Sequence, residues 1–414
     1  MKAVFLFAYN LGILTYGGLV FLVSFFNPKA KKWIAGRHDW ENRLAKANLK
    51  QPIWFHVPSL GEFEQARPII ESIKKKHPSK NIVLTFFSPS GYEVRKNYEF
   101  VDYVCYLPLD TSQNANRFLE IVKPSLVIWT KYDFWFHFLI GLKERKVPAI
   151  LISSIFRKDQ WFFKFYGLFM LQAIGAFNQI YVQDKVSKSL LENAHILNVT
   201  VLPDTRFDRV WETAQNPLKI EILDSFKNEK PIFLVGSMWE SDEHVILPFI
   251  KKYKDQLKFV IAPHEIHPPK IEALKNKIGG AICTFSEPEN CLPQESNVFI
   301  LDTIGLLSSA YAYADYTYIG GGFGVGIHNI LEAIVFENMV FIGPKYQKFK
   351  EANELVAQEA IFPIRNSIEL NTVFEQVGVS EQKSLIKQKL KSYISQNIGS
   401  TEFIVKSISE ENWL

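Results

Sequence analysis

The chain reads as an α/β protein with two doubly wound, Rossmann-like parallel sheets, preceded by one apolar helix. Three observations predict this. Short β-branched or aromatic runs alternate with helix-length segments along most of the sequence, the pattern of strands joined by crossover helices. The alternation restarts after a polar stretch at Ala214–Lys230, and 414 residues exceed one ordinary domain. From Ala3 to Phe26 no residue carries a charge.

In chain order, that N-terminal run is long enough to span a bilayer core. Lys29, Lys31, Lys32 and Arg37 follow at once, so the positive-inside rule places the rest of the chain in the cytoplasm. No small-x-small cleavage site follows the run, which argues against a signal peptide. Gly12, Gly17 and Gly18 weaken the helix and leave a shallow interfacial anchor as the second reading. A spanning helix would add nothing to either α/β core. Strands are predicted at Ile53–Val57, Ile82–Phe87, Tyr103–Leu107, Leu126–Trp129, Ala149–Ser153, Ile180–Gln183 and Thr200–Leu202. The aromatic segment Trp161–Phe177 reads as a buried helix or as a patch facing a membrane. After the restart, strands are predicted at Ile232–Val235, Phe259–Ala262, Ala281–Phe285, Val298–Leu301, Tyr316–Ile319 and Val340–Ile342, with helices from about Ile368 onward. The implied division is an anchor at 1–28, a first domain at 29–205 and a second at 206–414.

Composition excludes several classes. Hydrophobic residues at 47% and charged residues at 22% describe a globular chain rather than a disordered one. A net charge of +4 is too small to argue for nucleic acid. Cys105, Cys283 and Cys291 have no metal-ligand spacing and form no disulfide framework, which fits a reducing compartment. His264 and His267 are not H-E-x-x-H, and no D-x-D motif occurs, so no metal is expected.

Two segments carry chemistry on their residues alone. In His56-Val-Pro-Ser-Leu-Gly-Glu62 a strand runs through a turn into a helix, the joint where open α/β sheets place ligands. Glu62 falls in the first turn of that helix, where the dipole favours an ionised carboxylate able to accept a proton. Taken alone, Ser59 and Glu62 would equally form an S-x-x-E capping box. In Gly320-Gly-Gly-Phe-Gly-Val-Gly-Ile-His-Asn329 a glycine run leads into a predicted helix, Ile330–Val335. That is a phosphate loop or a tight turn; its spacing is not the G-x-G-x-x-G of dinucleotide sites.

Together these segments resemble the 3-deoxy-D-manno-octulosonic acid (Kdo) transferases, which move Kdo from CMP-Kdo onto the lipid A precursor. Gly61-Glu62 is similar to the family's Gly-Glu signature, and the resemblance makes Glu62 the catalytic base. Asn329-Ile330-Leu331-Glu332 resembles the family's CMP-binding Asn-x-x-Glu, with Glu332 suited to ribose hydroxyls. Gly236-Ser237 through Glu243 resembles a Gly-Ser segment of the family. Pro263-His264 stands where the family has Pro-Arg, so His264 replaces a permanent cation in the CMP contact. Asp302-Thr303-Ile304-Gly305-Leu306 resembles Asp-Thr-x-Gly-Glu, which places Ile304, Gly305 and Leu306 along the cytidine, Leu306 through its main chain. Asp204-Thr205-Arg206-Phe207-Asp208 resembles an element whose basic residue stabilises transition-state charge; here that residue is Arg206. Trp129-Thr130-Lys131-Tyr132-Asp133 departs from the family's Glu-Thr-Glu. Lys131 takes a glutamate's place, either as a new cationic contact or as a surface residue of a shifted loop with Asp133 covering the acidic function. Gly343-Pro344 and Phe349-Lys350-Glu351 complete the resemblance, which runs from the anchor to about residue 355.

The resemblance implies a GT-B fold with a central cleft. It implies an inverting transfer of Kdo to a lipid IVA-type acceptor in lipopolysaccharide biosynthesis, without cofactor or metal, at the cytoplasmic side of the inner membrane and in contact with its lipids. The alternatives are a GT-B transferase using a UDP-sugar or CDP-alcohol, and a catalytically silent, membrane-tethered binding protein.

Overall fold

A computed structural model of the protein describes residues 2–131, 133–378 and 380–414. Its contacts divide into two compact units: the chain up to Asp208 together with Gly399–Leu414, and Arg209–Ile398.

Among the described residues the first unit holds seven strands, β1 (Ile53–Val57), β2 (Ile82–Phe86), β3 (Tyr103–Tyr106), β4 (Leu126–Thr130), β5 (Ala149–Ser154), β6 (Gln179–Val182) and β7 (Val199–Val201). They form one parallel sheet in the order β3-β2-β1-β4-β5-β6-β7. Ile53 lies level with Ile82 on one side and Leu126 on the other. Side chains alternate across a strand, and helices cover both faces, so both faces of β1 are apolar and buried. Trp54 and Trp129 pack on one face with Phe118 and Phe138. Ile53, Phe55 and Val57 pack on the other with Phe63, Ile69 and Ile73.

The second unit repeats the plan with β8 (Ile232–Met238), β9 (Lys258–Pro263), β10 (Ile282–Thr284), β11 (Val298–Ile300), β12 (Tyr316–Ile319), β13 (Met339–Ile342) and β14 (Ile361–Pro363). Their parallel order is β10-β11-β9-β8-β12-β13-β14. All thirteen expected strands are present, within a few residues of their expected ends. Only β14 has no counterpart in the sequence analysis. It is three residues long, ends in proline and pairs with β13 alone.

Five details correct the sequence analysis. The helix Lys2–Val23 (α1) includes the stretch Ala3–Val23, long and apolar enough to cross a membrane, yet one side of it packs on the first unit. Tyr9 Oη donates to Asp110 at 2.6 Å, and Asn10 Oδ1 lies 2.7 Å from His137 Nε2. Tyr16 meets Trp33 and Phe87, and Phe5 meets Phe165. At Gly17 a Cβ would sit 2.6 Å from Leu109, so this glycine permits the close approach. The opposite side, including Phe7, Leu11, Leu14 and Leu22, is exposed. Secondly, Arg37 is no solvated flanking charge. Its guanidinium lies 3.6 Å over Trp33 and donates to the carbonyls of Leu107 and Phe87.

Thirdly, Trp161–Phe177 is not one helix. Two 3₁₀ turns precede the short helix Leu168–Ile174, because Gly167 folds back against Trp161, where any Cβ would clash. Phe162, Phe169 and Phe177 enter the core while Phe165 stays 73% exposed. Fourthly, Cys283 and Cys291 are joined as a disulfide, since the turn Pro288–Asn290 brings their Cα atoms to 5.4 Å; Cys105 is the free cysteine. Finally, the C-terminal helix Ser400–Glu410 belongs to the first unit, where Ile404, Val405 and Ile408 enter the core beside Ile69.

Candidate active site

In the first unit the sheet order reverses between β1 and β4, so their carboxyl ends diverge and leave room for side chains from both following loops. After β1 the chain turns at Pro58, whose carbonyl accepts from the backbone N–H groups of Phe87 and Ser88. The helix Leu60–Lys76 (α2) then starts with Ser59 at its N-cap. Ser59 makes no cap hydrogen bond to the backbone. Its hydroxyl donates instead to Glu62 Oε2 at 2.5 Å, so the expected capping box is replaced by a side-chain pair. Lys131 Nζ comes from the end of β4 and stands 3.1 Å from Glu62 Oε1. Burial pushes the Glu62 carboxyl up. The Lys131 ammonium and the Ser59 hydroxyl outweigh it and hold the group below the ordinary carboxylate range. Lys131 therefore faces Glu62.

Asp133 follows Lys131. Its Oδ2 lies 3.3 Å from His56 Nε2 and accepts from Trp135 Nε1 at 3.1 Å, while its carbonyl accepts from Trp129 Nε1. His56 is fully buried on β1 with Nδ1 2.9 Å from the Thr85 hydroxyl. Burial holds its pKa down, more strongly than Asp133 raises it, so the ring is neutral. Both ring nitrogens thus have a partner, Nδ1 the Thr85 hydroxyl and Nε2 the Asp133 carboxylate.

Arg206 opens the helix Arg206–Gln215 (α3), after β7. Its Nε and Nη2 each reach Asp204 at 3.1 Å in a two-pronged pair. Asp204 also accepts from Gln65 Nε2 at 2.6 Å and Gln183 Nε2 at 2.7 Å. Burial alone would raise the Asp204 carboxyl, but Arg206 and these donors hold it low. Thr205 Oγ1 donates to the Gln65 carbonyl. Gln65 lies three residues beyond Glu62 on α2, so Arg206 is fixed beside the same helix end.

In the second unit the order reverses between β8 and β12. The buried Asp242 carboxylate accepts from Trp239 N, Gly321 N and Tyr318 Oη at 2.8–2.9 Å and pins the glycine run to the end of β8. Gly321 needs its glycine, with φ 92° and the Gly326 carbonyl 2.4 Å from where a Cβ would stand. Past this run there is one helical turn, Leu331–Ile334, rather than the longer helix expected. Asn329 Nδ2 donates to Glu332 Oε1 at 3.1 Å, and Asn329 Oδ1 accepts from Leu331 N. The side chains of Ile330 and Leu331 are buried, so those two residues offer only backbone.

Pro263 ends β9, and the His264 ring stacks on Trp239 at 4.0 Å. Trp239 Nε1 donates to His328 Nε2 at 2.7 Å, and the two histidine rings lie 4.6 Å apart. Burial lowers the pKa of both, and His264 adds to the effect at His328. A cavity of about 300 Å³ opens beside them, lined by Trp239, Pro263, His264, Lys270 and Lys277. The loops at 263–264 and 328–332 thus adjoin. In the segment Ile304–Leu306, Ile304 is 90% exposed and Gly305 has φ 95°. Among the described residues no three His, Cys, Asp or Glu side chains converge as a metal site would require.

Sequence reasoning did not single out His56, Asp204, Asp242, Trp239 or His328 for a role. All five lie in or beside the quoted motifs, and each contacts neighbouring side chains or backbone that the sequence pattern does not place beside it.

Two units, each a parallel sheet whose loops converge where strand order reverses, define a GT-B-type glycosyltransferase fold. The UDP-GlcNAc 2-epimerase of Neisseria meningitidis, solved with UDP-GlcNAc, shares it with a TM-score of 0.60 and 14% identity, over 87% of this chain and 100% of that one. Residues 38–209 match the family described as 3-deoxy-D-manno-octulosonic-acid transferase (kdotransferase). Curated relatives include the 3-deoxy-D-manno-octulosonic acid transferases of Aquifex aeolicus, 27% identical over 84% of this chain and 95% of that protein, and of Rickettsia bellii, 26% identical over 83% and 82%. Over residues 38–209, and in these relatives over most of its length, the chain is similar to Kdo transferases.

Proposed function

We propose that this chain transfers Kdo from CMP-Kdo to a hydroxyl of a lipid A precursor with inversion at the anomeric carbon. One observation carries the proposal: Glu62, ionised and held by two side chains, sits where the sheet order of the first unit reverses. Glu62 takes the proton of the acceptor hydroxyl as its oxygen bonds to the Kdo anomeric carbon. The bond from that carbon to the phosphate oxygen breaks, and CMP departs with the electron pair. A positioned base contributes about 10²–10⁴-fold in such steps.

Arg206 balances charge on the departing phosphate, its guanidinium held in place by Asp204. Pro263, His264, Asn329 and Glu332, with the backbone of Ile304–Leu306 and Ile330–Leu331, hold the CMP. A single leaving phosphate asks less of a divalent ion than a diphosphate does, and the reading includes none. The exposed side of α1 lies in the inner membrane, with both units in the cytoplasm, where the lipid acceptor is reached.

The test is to incubate purified protein with CMP-Kdo and a lipid A precursor and weigh the product. A mass gain of one or more Kdo residues is expected, and no gain would refute the proposal. Thermal shifts with CMP, UMP and UDP separate it from a UDP-sugar transferase, since only CMP should stabilise the protein.

A further inference from the structure

The proposed mechanism gives tasks to Glu62 and Arg206 and leaves Lys131 without one. Lys131 has φ 62°, a left-handed conformation that is unfavourable for a residue with a side chain and that glycine would adopt freely. Its backbone N–H is spent on the Ile152 carbonyl at 3.0 Å, which fixes the turn at the end of β4. The side chain that glycine would lack ends 3.1 Å from Glu62 Oε1.

The surroundings of Glu62 narrow the role further. From its own helix end comes the Ser59 hydroxyl, on Oε2. The next turn of α2 carries Glu64, which pairs with Arg95 and Arg67, and Arg67 also pairs with Glu71. From β1 comes His56, which is turned to Asp133. Beyond Gln65, Arg206 is paired with Asp204. Among the described residues, Lys131 is the one cation that forms an ion pair with Glu62.

We propose that Lys131 is the positioning residue of Glu62, its ammonium clamping one carboxylate oxygen while Ser59 holds the other. This rests on Glu62 being the base. The clamp has two consequences. It fixes the rotamer of a carboxylate whose oxygens must meet an acceptor hydroxyl. It also opposes the burial that raises the Glu62 pKa and so favours the ionised carboxylate that a base requires. At a position that resembles a glutamate of the family, a lysine thus favours the ionised form of the neighbouring acid.

The experiment compares full-length wild type, Lys131→Met and Lys131→Arg with CMP-Kdo and a lipid A precursor, with kcat/KM followed over about pH 5 to 9. The Met variant should lose kcat on the order of ten- to a hundredfold at neutral pH, as expected for a displaced reacting group. The acid limb of its profile should move to higher pH, while calorimetric CMP affinity stays put. The Arg variant should recover most of the loss and return the acid limb. An acid limb that stays in place, or a loss confined to CMP affinity, overturns the clamp and makes Lys131 a donor contact or a bystander. A wild type that never transfers Kdo would sink the functional reading instead. The clamp is then read without turnover, by carbon-13 titration of labelled glutamate carboxylates with Glu62 assigned by difference from Glu62→Gln. A Glu62 titration unmoved by Lys131→Met refutes it.

Discussion

Replacing Glu62 by glutamine tests the base directly. The amide keeps the shape of the carboxyl. Its oxygen can accept from Lys131, at the 3.1 Å position now held by Oε1, while its NH₂ turns to the Ser59 oxygen. One charge-assisted bond is weakened, a loss of about 1.5–3 kcal/mol at most in a partly exposed pair, so the first unit should still fold. The proton of the acceptor hydroxyl then has no acceptor. Loss of a positioned base costs about 10²–10⁴-fold in rate, or about 2.7–5.4 kcal/mol at 1.36 kcal/mol per decade. The assay is mass-spectrometric product formation under single-turnover conditions, beside CMP calorimetry on the same preparation. CMP affinity should match wild type, because Glu62 lies in the first unit and the proposed CMP loops in the second. Transfer within tenfold of wild type would refute the assignment of Glu62.

Asn329→Ala and Glu332→Ala should each weaken CMP binding by about 1–3 kcal/mol by calorimetry. Because the two side chains are bonded to each other, the double variant should lose less than the sum of the singles. Asp204→Ala should destabilise the first unit by about 3–5 kcal/mol in denaturant melts, since Arg206, Gln65 and Gln183 lose a shared buried acceptor. Asp204 is held below its ordinary pKa, so its stabilisation is complete above the usual carboxylate range and fades as pH falls through the folded value. The gap from wild type should therefore narrow only on acidification below about pH 4. Deleting residues 1–27 should reduce membrane association and also lower the melting temperature, and Tyr9→Phe should cost about 1–3 kcal/mol by leaving the buried Asp110 short of a donor. Unchanged melting in both would mean that α1 does not pack on the first unit.

The fold was legible because parallel strands buried on both faces are written as short apolar runs, and these are unmistakable at Ile53–Val57 or Tyr316–Ile319. β14 escaped because three residues ending in proline leave no period to read. Glu62 was legible from its place after a strand and from the family signature. Its partnership with Lys131 was not, since 69 residues separate them and only the adjacency of β1 and β4 brings them together. The pairing of Cys283 with Cys291 was hidden in the same way, in a turn whose geometry the spacing does not encode. The uncharged N-terminus announced an apolar helix, but its length alone cannot tell a helix surrounded by lipid from one with a side against protein. Tyr9, Asn10 and Tyr16 were the polar and aromatic hints of the latter.

The return of the last helix to the first unit bears on how a ribosome makes this protein. Asp208 accepts from the backbone N–H groups of Gly399 and Thr401, so the outgoing and returning chain are tied at one carboxylate. Everything from Arg209 to Ile398 is therefore an insertion within the first unit. During synthesis the second unit has all of its residues before Ile404, Val405 and Ile408 emerge to fill the core against α2. The unit begun first is finished last. A nascent chain would carry the sheet bearing Glu62 with one face incompletely covered until Ile404, Val405 and Ile408 are made, and removing the helix Ser400–Glu410 would harm the half of the protein that was translated earliest.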